Sequence, residues 1–102
     1  MYTIIETPIF TRLCDDILDE EERGELAVYL AEHPLSGDVV PKSGGCRKLR
    51  WQRRGLGKRG GARIIYFNRL ENGEIHLLLI YAKAKNENIP AHILLKLREE
   101  LL

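Results

Sequence analysis

Ten of the chain's sixteen Lys and Arg residues fall between positions 42 and 69, and that stretch contains no Asp or Glu. They are Lys42, Arg47, Lys48, Arg50, Arg53, Arg54, Lys58, Arg59, Arg63 and Arg69. Guanidinium and ammonium groups at this density are suited to gripping anions, phosphate above all. Like charges repel when folded close together, so an outside counter-charge is expected: a polyanion or an acidic partner protein. In a strand, side chains alternate between faces. Lys48 and Arg50 would therefore share one face with Cys46 and Gln52, and Arg47, Leu49 and Trp51 the other.

The net charge of +1 conceals this concentration. Residues 1–41 carry two basic and ten acidic side chains, and residues 70–102 carry four and five. Such asymmetry suggests a phosphate-binding face on an otherwise acidic body. The 102 residues amount to a single domain, 1–102, and 44% apolar content supports a small core. Cys14 and Cys46 show no zinc-type spacing, and Cys14 falls on an apolar helix face. The first ten residues lack the charged and apolar regions of a secretory leader, and no run is long enough to span a membrane. A cytoplasmic protein with reduced thiols is the simplest expectation.

The elements that must position the basic residues follow in chain order. Residues 2–5 read as a short strand. Thr7-Pro8 then suits a helix start, and Phe10, Leu13, Cys14, Ile17 and Leu18 recur as one helical apolar face. Asp19 and Glu22 fit a capping box opening a second helix over 20–33, with Leu26, Ala27, Leu30 and Ala31 as its buried stripe. Residues 35–45, rich in Pro and Gly, read as a loop. Strands are expected over 46–52, 62–68 and 75–83. A glycine-rich basic loop at 53–61 joins the first two, and an Asn72-Gly73 turn joins the last two. The run Leu77 to Ile80 suits a strand covered on both faces. Pro90 opens a final helix with Ile93, Leu94, Leu97 and Leu101 at helical spacing. The architecture is α+β: two N-terminal helices on a mainly antiparallel four-stranded sheet, then a C-terminal helix.

The histidines lie on different elements and suggest neither a catalytic pair nor a metal site. His33 reads as a helix C-terminal residue, His76 as a strand residue sharing a face with Leu78 and Ile80, and His92 as exposed. Trp51 and Tyr66 could stack on bases or belong to the core.

Three segments, GDVVPKSGGCRKLRW, GKRGGARIIYF and IYAKAKNENIP, carry a resemblance through four ordered blocks: Gly-Asp, Gly-Gly-x-Arg-Lys, Gly-Lys-Arg-Gly-Gly-x-Arg and Tyr-Ala-Lys. Together they resemble the RelE/HigB toxins of type II toxin–antitoxin systems, with greatest similarity to the HigB-2-like branch of the RelE/ParE superfamily. The resemblance covers most of the chain. It implies a RelE-like fold and a metal-independent, cofactor-free endoribonuclease (mRNA interferase) that cuts mRNA on the translating ribosome and so inhibits translation. It also implies a cognate antitoxin, often with a helix-turn-helix fold, encoded adjacently. Carried over by position, the site would comprise Lys48, Arg50, Arg63 and Lys83, with Tyr81 beside Lys83. Arg47, Arg53, Arg54, Lys58, Arg59 and Lys85 would contact RNA. Many relatives follow the lysine with an arginine. That position is Ala84 here, with Lys85 next as the expected substitute. The C-terminal tyrosine of some relatives has no counterpart in residues 90–102.

Metal-free RNA cleavage uses the ribose 2′-hydroxyl as nucleophile. The protein must stabilise extra charge on the phosphate and move one proton off an oxygen and another onto one. Arg63, helped by Arg50, suits the first task, where one preorganised donor contributes about 3 kcal/mol. Lys48 suits proton transfer, since a lysine crowded by Arg47, Arg50 and Arg63 can shed its proton and an arginine cannot. Two other readings use the same charge: a non-enzymatic nucleic-acid- or ribosome-binding module, and a ParE-type gyrase inhibitor.

Overall fold

The computed structural model describes residues 2–52, 61–82 and 89–100. The chain runs β1 (Thr3–Glu6), α1 (Pro8–Cys14), α2 (Glu20–Glu32), β2 (Asp38–Val39), β3 (Arg47–Trp51), β4 (Ala62–Arg69), β5 (Glu74–Ala82) and α3 (Ala91–Glu100). The sheet has five strands in the order β1-β5-β4-β3-β2. β1 is parallel to β5, and the other pairs are antiparallel. The α+β class stands, but the expected four-stranded sheet is corrected to five mixed strands. The added strand, β2, is only two residues long and lies within the Pro- and Gly-rich stretch expected to be loop. Two residues are too few to show any alternation.

Local chemistry explains the helix starts. The Phe10 N–H donates to Thr7 Oγ1 at 3.0 Å, and that hydroxyl donates to the Leu78 carbonyl at 3.0 Å, so Thr7 both caps α1 and ties it to β5. Asp19 and Glu22 form the reciprocal capping box of α2, at 2.7 and 3.1 Å. α1 ends at Cys14, earlier than its apolar spacing suggests. Leu13, expected on the buried face, is instead exposed, while Phe10, Cys14 and Leu18 are buried. Arg23 of α2 clamps Glu6 of β1 through two hydrogen bonds of 3.0 and 2.6 Å, and reaches Asp15 at 2.9 Å.

Helices cover both faces of the sheet. On one, Phe10, Leu26 and Leu30 pack on Leu49, Ile64, Tyr66, Ile75, Leu77 and Ile80. On the other, Leu94 of α3 joins Cys46, Ile65, Leu78 and Tyr81. Both cysteines are buried and unpaired, and burial pushes the Cys14 thiol up to about 11.

A bulge in β5 divides these faces. Ile65 pairs with Leu79, but the adjacent Tyr66 pairs with Leu77, which leaves Leu78 as an extra residue. Ile75 and Leu77 face the main core before the bulge, and Ile80 faces it afterwards. This corrects the reading of His76: it shares a face with Leu78 but not with Ile80. Its Nε2 lies 3.1 Å from a Glu74 carboxylate oxygen. The β4–β5 turn is a 3-10 turn, Leu70–Asn72, closed by Gly73 at φ 73° rather than a two-residue hairpin. A left-handed φ of this kind favours glycine.

Candidate functional site

Four of the expected site residues converge through strand register. Arg50 stands directly opposite Arg63 across β3 and β4, and Arg63 stands opposite Tyr81 across β4 and β5. Lys48 is two residues from Arg50 and opposite Ile65, so it projects from the same face. Tyr81 reaches that face only because of the bulge, since uninterrupted alternation would have turned it toward α1 and α2. Its side chain is 8% exposed. Burial pushes the Tyr81 hydroxyl above its ordinary value, with Arg63 opposing the shift.

Lys48, Arg50 and Arg63 line an open cavity of about 390 Å³, together with Ser36, Asp38 and Leu49. Like charges placed opposite one another destabilise a sheet. The Arg50–Arg63 pair therefore favours an anion between the two side chains, and the planar guanidinium matches phosphate geometry.

The far wall of the cavity is anchored. Tyr66, fully buried, donates its hydroxyl hydrogen to the Pro34 carbonyl at 2.8 Å and accepts from the Gly37 N–H at 2.9 Å. Asn68 Nδ2 donates to the same Pro34 carbonyl at 2.8 Å. A Cβ at position 37 would lie 2.9 Å from the Tyr66 ring and hydroxyl, so the close approach requires glycine. These contacts settle the alternatives for Tyr66: it belongs to the core and braces the loop.

Arg47 does not join the cation cluster. Its guanidinium donates to the carbonyls of Gly37 at 2.7 Å and Leu35 at 3.3 Å, on the opposite sheet face from Lys48. It therefore braces the loop and does not crowd Lys48. Trp51 also lies on that opposite face, packed against the core and 5.5 Å from the Tyr29 ring. Arg53, Arg54, Lys58, Arg59, Lys83 and Lys85 lie outside the described residues. Two cavity residues, Ser36 and Asp38, were missed because their segment read as featureless loop. The only signal was Asp38 within the GDVVPKSGGCRKLRW block.

His33 closes α2, with its ring 4.8 Å from that of Tyr29. His92 is exposed. Among the described residues, no three His, Cys, Asp or Glu side chains are grouped as metal ligands would be, and no helix is long and apolar enough to cross a membrane.

Two helices on one face of a mixed sheet, a third helix on the other and a parallel edge strand define a RelE-like α+β fold. Among solved structures, the chain is similar to a double arginine-to-alanine variant of the E. coli toxin RelE in the free state. The two share 19% sequence identity at a TM-score of 0.54, over 82% of this chain and 86% of that one. At this identity the likeness establishes the fold alone. No protein-family model matches the sequence.

Proposed function

We propose that this protein is a ribosome-dependent mRNA endonuclease toxin of the HigB-2-like branch, which inhibits translation and is neutralised by a cognate antitoxin. The observation that carries the reading is the Arg50–Arg63 pair, opposed across β3 and β4 and lining one open cavity with Lys48, on a RelE-like fold. Arg63 and Arg50 hold the non-bridging oxygens of the scissile phosphate and stabilise the charge that builds there. Lys48 protonates the departing 5′-oxygen. Tyr81 packs behind Arg63 and holds it at the phosphate. Lys83 supplies a further cation to the site, as the resemblance implies. Arg53, Arg54, Lys58, Arg59 and Lys85 grip the RNA backbone, and the reaction needs no metal or cofactor.

The partners are those the resemblance implies, and the cationic face suits both. The ribosome presents the message, and a cytoplasmic antitoxin, encoded adjacently and of helix-turn-helix type, covers the cationic face with an acidic segment. The test is to map the 5′ ends of cellular mRNA after brief expression. New cuts within translated frames, absent with Arg63→Ala, are expected. Growth arrest with intact messages overturns the reading and favours a binding module or a gyrase inhibitor.

A further inference from the structure

Among the described residues that line the cavity, one is acidic, and the cation-based site does not use it. Asp38 lines the cavity together with Lys48, Arg50 and Arg63. It is the register partner of Lys48 across β2 and β3. Directly opposed residues of an antiparallel pair project from the same face with Cβ atoms about 5 Å apart. The carboxylate is thus held at the mouth of a phosphate site. Its backbone is fixed by the braced loop: Gly37, its neighbour, is bonded to Tyr66 through N–H and to Arg47 through C=O.

A carboxylate in that position opposes anion binding, because it repels the phosphate that three cations attract. A site built only to bind a polyanion gains nothing from it. A site that must take a proton from a hydroxyl beside the phosphate does, because a carboxylate accepts hydrogen bonds and arginine donates only. The 2′-hydroxyl is also the group that distinguishes RNA from DNA.

We propose that Asp38 accepts the proton of the attacking ribose 2′-hydroxyl, and so makes this cavity specific for RNA. This rests on the endonuclease reading above. The O2′–H bond breaks and its proton passes to an Asp38 carboxylate oxygen. The freed electron pair on O2′ forms the bond to phosphorus. The P–O5′ bond then breaks, and the leaving 5′-oxygen takes a proton from the Lys48 ammonium. The products are a 2′,3′-cyclic phosphate and a 5′-hydroxyl. Proton return from Asp38 to Lys48, directly or through water, restores both groups without a co-reactant.

The experiment compares wild type with Asp38→Asn on a short message held in programmed ribosomes. Single-turnover cleavage is measured on the ribose message, and affinity on the same message with a 2′-deoxy nucleotide at the cut. Asp38 is exposed, so the substitution leaves the core intact, and the thermal midpoint checks this. The expected result is unchanged or tighter binding, an unchanged midpoint and cleavage at least ~100-fold slower. A smaller loss of rate, or a loss matched by weaker binding, overturns the role of Asp38. Undiminished cleavage, whether or not binding tightens, shows Asp38 to be only a counter-charge to Lys48 and overturns the proposal. Failure of the wild type to cut any message overturns the parent reading and is visible without the variant.

Discussion

Tyr66→Phe separates the brace from the chemistry. The substitution keeps the buried ring and removes one oxygen, so little packing volume is lost. That oxygen makes two bonds of different consequence. The Pro34 carbonyl keeps its second donor, Asn68 Nδ2, and loses little. The Gly37 N–H loses its partner beneath a buried glycine. An orphaned buried donor costs about 1–3 kcal/mol, so a loss of about 2 kcal/mol is expected. With a urea m-value near 1–1.5 kcal/mol/M, the unfolding midpoint falls by roughly 1–2 M at constant m. The shared acceptor supplies a sharper check. Asn68→Ala alone leaves Pro34 bonded to Tyr66, but the double variant leaves that carbonyl unpaired. The double variant should therefore lose more stability than the two single losses combined, by at least about 0.5 kcal/mol. Strict additivity in denaturant titrations would refute the shared brace, as would a Tyr66→Phe midpoint equal to that of wild type.

Two further outcomes follow from the charged side chains. Salt dependence of binding to an uncleavable RNA distinguishes Arg47 from Arg50: Arg50→Ala lowers the magnitude of the log–log slope by about 0.7, whereas Arg47→Ala leaves it unchanged and lowers stability instead. Equal effects on the slope would show that the loop carbonyls do not hold Arg47. The Glu6 carboxyl is depressed below its ordinary 4.5, chiefly by its hydrogen bonds from Arg23. A depressed carboxyl contributes stability that is complete above its unfolded value and is lost as pH falls through the folded one. Arg23→Gln should therefore cost about 1 kcal/mol near neutrality, allowing for partial exposure of the pair, and progressively less in unfolding measured below pH 4.5. A constant difference across that range contradicts the linkage.

The parts of the fold legible in the sequence are those set by neighbouring residues. Thr7-Pro8 and the Asp19–Glu22 box act within one helical turn, and both form as their spacing predicts. The facing of Lys48 and Arg50 was likewise legible, because two-residue alternation is local. Features that depend on distant partners were not. The bracing bonds of Arg47 were not legible, because its carbonyl partners lie ten and twelve residues earlier. β2 exists through pairing with β3, with too few residues to show a pattern, so Asp38 stayed hidden as a site residue. The bulge is specified by tertiary packing: Thr7 takes the Leu78 carbonyl from seventy-one positions away. Strict alternation along β5 misplaces Ile80 relative to His76, and would turn Tyr81 to the other face from Arg63, its register partner.

In the proposed reaction the opposed arginines stabilise a cleaving phosphate rather than merely attract RNA. Single-turnover cleavage of a message in programmed ribosomes, compared between wild type and Arg63→Ala at saturating protein, tests this directly. A rate loss of about 10²–10³-fold that saturation does not recover is expected. Full recovery of the rate at saturation would reduce Arg63 to a binding contact and contradict the account.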